Sequence, residues 1–233
     1  MHKKEINDHN EKVNLREFIL GGQDGLVNVL GLVLGIASAT SSKNIVIISG
    51  IVATVAESVS MAAVAYTSSK AAKDYYHSIV EEEKTHVIIQ PKLEKKEIEE
   101  IYSKKGFKGK ILRELVKHIT SHKDLWIETL LSEKHKISKN EFEHPIKSAW
   151  IVGFSTIIGS LIPLFPFFIF NVKTGIIISL VLAAIILFIV GALKAKLSIG
   201  SWKRSGIELM TIGLLAALLG YGIGFLLKLN GMA

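Results

Sequence analysis

Two carboxylates stand inside apolar stretches of this sequence. Asp24 heads "DGLVNVLGLVLGIA" at 24–37, and Glu57 interrupts "AESVSMAAVAY" at 56–66. Asn28 follows Asp24 by four residues and Met61 follows Glu57 by four, so on helices each pair shares a face, with Ser60 alongside the second. An ionised side chain at the centre of a bilayer costs about 3 kcal/mol or more, and such residues mark a function by default. Carboxylate oxygen with thioether sulfur suits a divalent first-row ion such as Fe²⁺ or Mn²⁺. Carboxylates that bind cations also bind protons, so the same residues can couple metal movement to proton movement. The competing structural reading has Asp24 cap the first span near the interface and Glu57 pair with a neighbouring span.

A second set of ligand types lies in the polar stretch 67–147. Its acids cluster as Glu81, Glu82 and Glu83, then Glu94, Glu97, Glu99 and Glu100, then Glu128 and Glu133. Six of the chain's eight histidines fall there too, among them His86 and His135. Glu83 with His86, and Glu97 with Glu100, have the i,i+3 spacing that lets one helix face chelate one ion. Lysines are interleaved throughout, so composition alone describes a solvated helical surface.

The elements that would position these residues are apolar blocks of membrane length. A span needs about 20 apolar residues to cross a hydrocarbon core about 30 Å thick. Five segments qualify: 18–39, 45–66, 148–170, 175–195 and 207–227. Short links join spans 1 and 2, 3 and 4, and 4 and 5, which makes antiparallel hairpins. Lys3, Lys4, Lys12 and Arg16 precede the first span, and Lys194, Lys196, Lys203 and Arg204 lie between spans 4 and 5. The charge bias puts the N-terminus and the 67–147 insert in the cytoplasm and the C-terminus outside. The expected fold is all-α, a multi-pass membrane protein with five transmembrane helices and a small cytoplasmic helical insert. The expected divisions are an N-terminal segment 1–17, spans 1 and 2 over 18–72, a metal-binding insert over 73–147, and spans 3 to 5 over 148–233.

The insert opens without a breaker, so the second span continues as one long helix until Pro91. Three shorter helices follow, with Gly106 ending the first of them and Ser121 serving as N-cap of the last. The small-residue spacings of Gly21, Gly22, Gly25, Gly31 and Gly35 in span 1, and of Gly213, Gly220 and Gly224 in span 5, predict close helix packing. Pro163 and Pro166 predict a kink in span 3.

Bulk composition agrees and excludes several classes. The 233 residues are 49% hydrophobic, with a mean hydropathy of +0.38. No cysteine is present, so disulfide frameworks and thiolate metal sites are excluded. The net charge of +7 belongs to cytoplasmic flanks rather than to a nucleic-acid surface. Every histidine lies in the N-terminal tail or the insert, so no Ser/His pair falls within the spans and the chain does not read as an enzyme. Two functions stay open: a transporter of divalent metal, or a membrane-anchored metal sensor or storage protein. The lack of a long N-terminal extension and the Lys/Ile-rich composition lean to the plasma membrane of a prokaryote.

"DGLVNVLGLVLGIA" and "AESVSMAAVAY" resemble the two signature spans of the vacuolar iron transporter family, and "GSLIPLFPF" at 159–167 agrees with it. The resemblance implies a five-span homodimer that moves Fe²⁺, often also Mn²⁺, out of the cytosol in exchange for protons; Zn²⁺ and Co²⁺ stand beside them as candidate bound or transported metals. It implies a path at the dimer interface, with Asp24, Glu57 and Met61 at the family's transport positions and Asn28 beside them. It also implies that the insert collects metal through Glu83, Glu97 and Glu100, with Glu82, His86 and Glu133 as secondary ligands. Two departures stand out. Val64 and Ala65 replace a Gly-Glu pair common in the family, and Leu130 and Leu131 stand where many members carry methionines.

Overall fold

Between Lys43 and Ile89 the chain contains one glycine and no proline, and nothing in it stops a helix. In a computed structural model, which describes residues 2–40, 42–137, 144–197 and 200–230, this stretch is a single helix. At 1.5 Å per residue it is about 70 Å long, more than twice the apolar thickness of a bilayer. The described residues form α1 (His2–Ala39), α2 (Lys43–Ile89), α3 (Pro91–Lys104), α4 (Gly109–Ser121), α5 (Lys123–Glu133), α6 (Pro145–Ile169), α7 (Val172–Leu197) and α8 (Trp202–Leu229). No strand occurs among them. The fold is all-α, and α1, α2, α6, α7 and α8 are long and apolar enough to cross a membrane.

The chain divides into two units, one of residues 1–66 with 146–233 and one of residues 67–145. In the first, α1 supplies more of the core than any other helix. Leu26, Val29, Leu30, Val33 and Leu34 pack with Val46 of α2, Leu164 and Phe167 of α6, Ala183 and Leu187 of α7, and Leu209 and Ala217 of α8. Two glycine faces put α1 there. A Cβ on Gly21 would stand 2.5 Å from the Val152 carbonyl of α6, and one on Gly35 would stand 2.9 Å from the Gly220 carbonyl of α8. Backbones this close leave no room for alanine, which is how small residues substitute for a hydrophobic drive between helices in lipid. The spacings in spans 1 and 5 therefore meet each other, while the 21–25 glycines meet α6.

The structure adds detail to the sequence expectations and corrects one of them, the cap of α5. The helix of the first span begins at His2, well before Phe18, because "HKKEINDHNEKVNLRE" holds no breaker and is rich in residues that tolerate helix. Ser121 does not cap α5. It is the last residue of α4, where its hydroxyl donates to the His118 carbonyl (2.7 Å), and His122 holds the N-cap position. The prolines of α6 sit inside one continuous helix, and the Pro163 carbonyl accepts a 2.7 Å hydrogen bond from the Ser179 hydroxyl of α7. Ser41, the 138–143 end of the insert, residues 198–199 of the basic link, and the side chains of Lys3, Lys4, Lys12 and Lys196 lie outside the described residues.

The second unit packs the 67–89 part of α2 with α3, α4 and α5. Ile79 and Val87 of α2 join Ile98 of α3, Leu112, Val116 and Ile119 of α4, and Trp126, Leu130 and Leu131 of α5. Gln90 leaves the helical region (φ −128°, ψ 51°), as a residue before proline does, and Pro91 opens α3 with its φ already set. Gly106 and Gly109 adopt φ +98° and +61°, the left-handed conformations that turn α3 into α4. Leu130 and Leu131 are both buried and belong to the core of this unit.

Candidate metal sites

In the first unit the structure brings three of the four expected pathway residues together. The Asn28 amide nitrogen donates to Glu57 Oε1 at 2.8 Å and to Asp24 Oδ2 at 3.2 Å. One nitrogen thus holds two carboxylates from different helices, no farther apart than two hydrogen-bond lengths. The Asp24–Asn28 half of this follows from the i,i+4 spacing on α1, and the Glu57 half requires α1 and α2 to be neighbours. Met61 lies one turn beyond Glu57 on α2 and is half-buried. Asn28 itself is exposed on the surface of the chain. Among the described residues no lysine, arginine or histidine pairs with Asp24 or Glu57, so the acids share a neutral donor.

In the second unit a different set assembles. The turn at Gln90–Pro91 returns α3 so that Glu94 Oε1 lies 3.7 Å from His86 Nδ1. Glu83, His86 and Glu94 each offer a ligand atom, and these atoms lie within 4.8 Å of one another. Two carboxylate oxygens and one imidazole nitrogen suit Fe²⁺, Mn²⁺ or Zn²⁺. Glu83 is 1% exposed and Glu94 4% exposed, and Oε2 of each accepts no hydrogen bond. Glu94 was not among the ligands expected from sequence. Its signal was Ile98, one turn along α3 and fully buried, which puts Glu94 on the inward face.

A cation already stands among these acids. Lys134, where α5 ends, places Nζ 2.7 Å from Glu97 Oε2, 3.1 Å from Glu83 Oε1 and 3.6 Å from Glu94 Oε2. His135 Nε2 lies 2.6 Å from Glu83 Oε1. Burial pushes the Glu83 carboxyl up, but the hydrogen bonds from His135 and Lys134 outweigh it and hold the group below its ordinary value. Burial also raises Glu94, and the negative charges of Glu83 and Glu97 reinforce this against the pull of Lys134 and His86, so Glu94 is held above its ordinary value. Burial works against the charge on Lys134, yet Glu97 and Glu83 keep its ammonium above the usual lysine range.

The other expected insert ligands lie outside the Glu83–His86–Glu94 group. Glu97 is committed to Lys134 and Glu100 faces Lys96 at 3.7 Å, so the i,i+3 pair is divided between two lysines. Glu133 is tied to Lys105 and Lys136, and the Lys105 hydrogen bond holds its carboxyl below the ordinary value. Glu82 is exposed. Glu97, Glu100 and Glu133 do share the lining of one open cleft of about 510 Å³, together with Lys104, Lys105 and Lys134.

The profile described as "VIT family" matches residues 15–225. The chain is 29% identical over 228 residues to Protein CCC1 of Saccharomyces cerevisiae, covering 89% of this chain and 70% of that protein. It is 26% identical over 210 residues to Vacuolar iron transporter 1 of Tulipa gesneriana, covering 90% and 85%. Against the vacuolar iron transporter of Plasmodium falciparum it is 27% identical over 234 residues, covering 96% and 86%. With spans and insert alike inside the matched region, the chain belongs to the VIT family.

Proposed function

We propose that the protein carries Fe²⁺, and with it Mn²⁺, out of the cytosol in exchange for protons, through a path lined by Asp24, Asn28, Glu57 and Met61. The observation that carries this reading is the Asn28 amide bridging two acids within membrane-spanning helices. Acids held by a neutral donor keep their negative charge available. A divalent ion entering between them replaces the amide N–H, and rotation of the amide offers its oxygen as a further ligand. Met61 adds a softer thioether donor one turn away, which favours transition metals over Mg²⁺ or Ca²⁺. The same carboxylate oxygens take up protons when the metal leaves, which gives the exchange a common seat.

Exposure of Asn28 supports a second copy of the chain across this site. An amide and two acids facing acyl chains would have only one another as partners, and at membrane depth polar groups face protein or a water-filled cavity. A homodimer with α1 and α2 at its interface would cover them and place the path between subunits. The basic flanks support a cytosolic N-terminus and insert, and the Lys/Ile-rich composition supports a prokaryotic plasma membrane. In this reading the Glu83–His86–Glu94 group collects metal on the cytosolic side.

The test is uptake of Fe²⁺, Mn²⁺, Co²⁺ and Zn²⁺ into proteoliposomes at two pH gradients. Wild-type protein should move Fe²⁺ and Mn²⁺, faster with the steeper proton gradient, and the Asp24→Ala, Glu57→Ala double variant should fall to the leak of empty vesicles. Normal Fe²⁺ flux by the double variant would sink the proposal. Metal binding without flux by the wild type would favour the sensor or storage reading instead.

A further inference from the structure

The insert's acids converge on a side chain rather than on an open space. Glu83 and His86 reach the centre from α2, Glu94 and Glu97 from α3, and Lys134 and His135 from the end of α5. A divalent ion binding Glu83 Oε1 and Glu94 Oε2 at ordinary coordination distances would lie within a few ångströms of the present position of Nζ. Two cations at such a separation repel by several kcal/mol even at an effective dielectric constant of about 20. The ammonium and the metal therefore exclude each other.

We propose that Lys134 is a tethered counter-cation, so that metal enters the Glu83–His86–Glu94 centre only by displacing its ammonium. This rests on the reading of that centre as a metal-collecting site, and it adds the residue that sets the site's affinity. One ammonium matches one of three carboxylate charges. The remainder, with the buried Oε2 atoms of Glu83 and Glu94 that accept no hydrogen bond, keeps the centre attractive to a divalent ion.

The local structure permits the exchange without unfolding. Backbone bonds pin the end of α5: Lys134 N–H to the Leu130 carbonyl (2.9 Å), His135 N–H to the same carbonyl (3.3 Å), and Ile137 N–H to the Leu131 carbonyl (3.0 Å). The Lys134 side chain is 29% exposed and also lines the open cleft beside Glu97 and Glu133, so its four-carbon stem can swing outward by rotamer change. Such a site stays filled by its own lysine when metal is scarce and yields when metal is abundant.

The experiment is Mn²⁺ binding to the full-length protein in detergent, comparing wild type with Lys134→Met, which keeps the length and loses the charge. Lys134→Met should bind Mn²⁺ at least about tenfold more tightly, and Lys134→Met with Glu94→Gln should lose that gain. Unchanged or weaker binding by Lys134→Met, with measurable wild-type binding, overturns the proposal and leaves the collecting site standing. Absence of binding in both overturns the collecting site as well, while the flux test of Asp24 and Glu57 is independent of either. A second measurement needs no variant: reductive methylation of the wild type, read by mass spectrometry. Lys134 should react slowly without metal and several-fold faster with Mn²⁺, and equal rates would overturn the displacement.

Discussion

The membrane-spanning unit and the insert each draw acids from two helices to a single nitrogen, and the two nitrogens differ in charge. Asn28 holds Asp24 and Glu57 with a neutral amide, while Lys134 holds Glu83, Glu94 and Glu97 with an ammonium. The amide positions its acids without matching their charge, and under the proposed function a passing cation would supply that match. The ammonium matches charge and so resists replacement. Geometry alone, carboxylates converging within reach of one point, is the same in both places. If both centres take metal as proposed, they differ in whether the atom at that point must leave when the metal arrives.

Exchanging the two nitrogens tests this most severely. Asn28→Lys puts an ammonium where the pathway has an amide. It should reduce Fe²⁺ flux in proteoliposomes by two orders of magnitude or more, the scale of a repulsion of about 4 kcal/mol between unit charges 4 Å apart at an effective dielectric constant of about 20. Retained flux would mean that the acids do not carry metal, and the comparison would collapse.

A second pair of variants asks which cluster is built for stability. Glu83 lies fully buried between His135 and Lys134, and Glu83→Gln should destabilise the insert by about 2 kcal/mol, the scale of hydrogen bonds to charged groups. Denaturant melts followed by Trp126 fluorescence would read this, with Trp150 and Trp202 changed to Phe. Because the folded protein holds the Glu83 carboxyl below its ordinary 4.5, its contribution is complete above that pH and disappears as pH falls through the lowered value. Wild type and variant should therefore converge in acid. Glu57→Gln retains an oxygen for the Asn28 amide, so it should change stability by less than about 0.5 kcal/mol while abolishing transport.

The two clusters were not equally legible in the sequence. The spans could be read because bilayer thickness demands about 20 apolar residues, and the breaks at Pro91 and Gly106 because proline and left-handed glycine have few alternatives. Asp24, Asn28 and Glu57 could be singled out because acids are rare at membrane depth. In the insert acids are common, so spacing was the only guide, and spacing sees one helix at a time. It paired Glu97 with Glu100, which the structure divides between Lys134 and Lys96. It passed over Glu94, whose inward position depends on the packing of Ile98. Lys134 gave no signal at all, since a lysine among many becomes distinctive only when three helices bring acids to it.

The smallest expected effect separates the acids of the insert from one another. Glu94 is held above its ordinary 4.5 by burial and by the charges of Glu83 and Glu97, the opposite direction from Glu83. A carboxyl raised in the folded state stabilises the fold below its unfolded value, and that contribution is lost as pH rises through the raised one. At neutral pH its ionised form is therefore a burden that Glu94→Gln removes. In chelator the variant should gain on the order of 0.5 kcal/mol at pH 7, the scale of relieving one like-charge contact, and should match the wild type near pH 4. Opposite signs for Glu83→Gln and Glu94→Gln would show that Lys134 offsets only part of the repulsion in this centre. Equal losses would instead mean that the ammonium satisfies all three acids, leaving no charge there to draw a metal in.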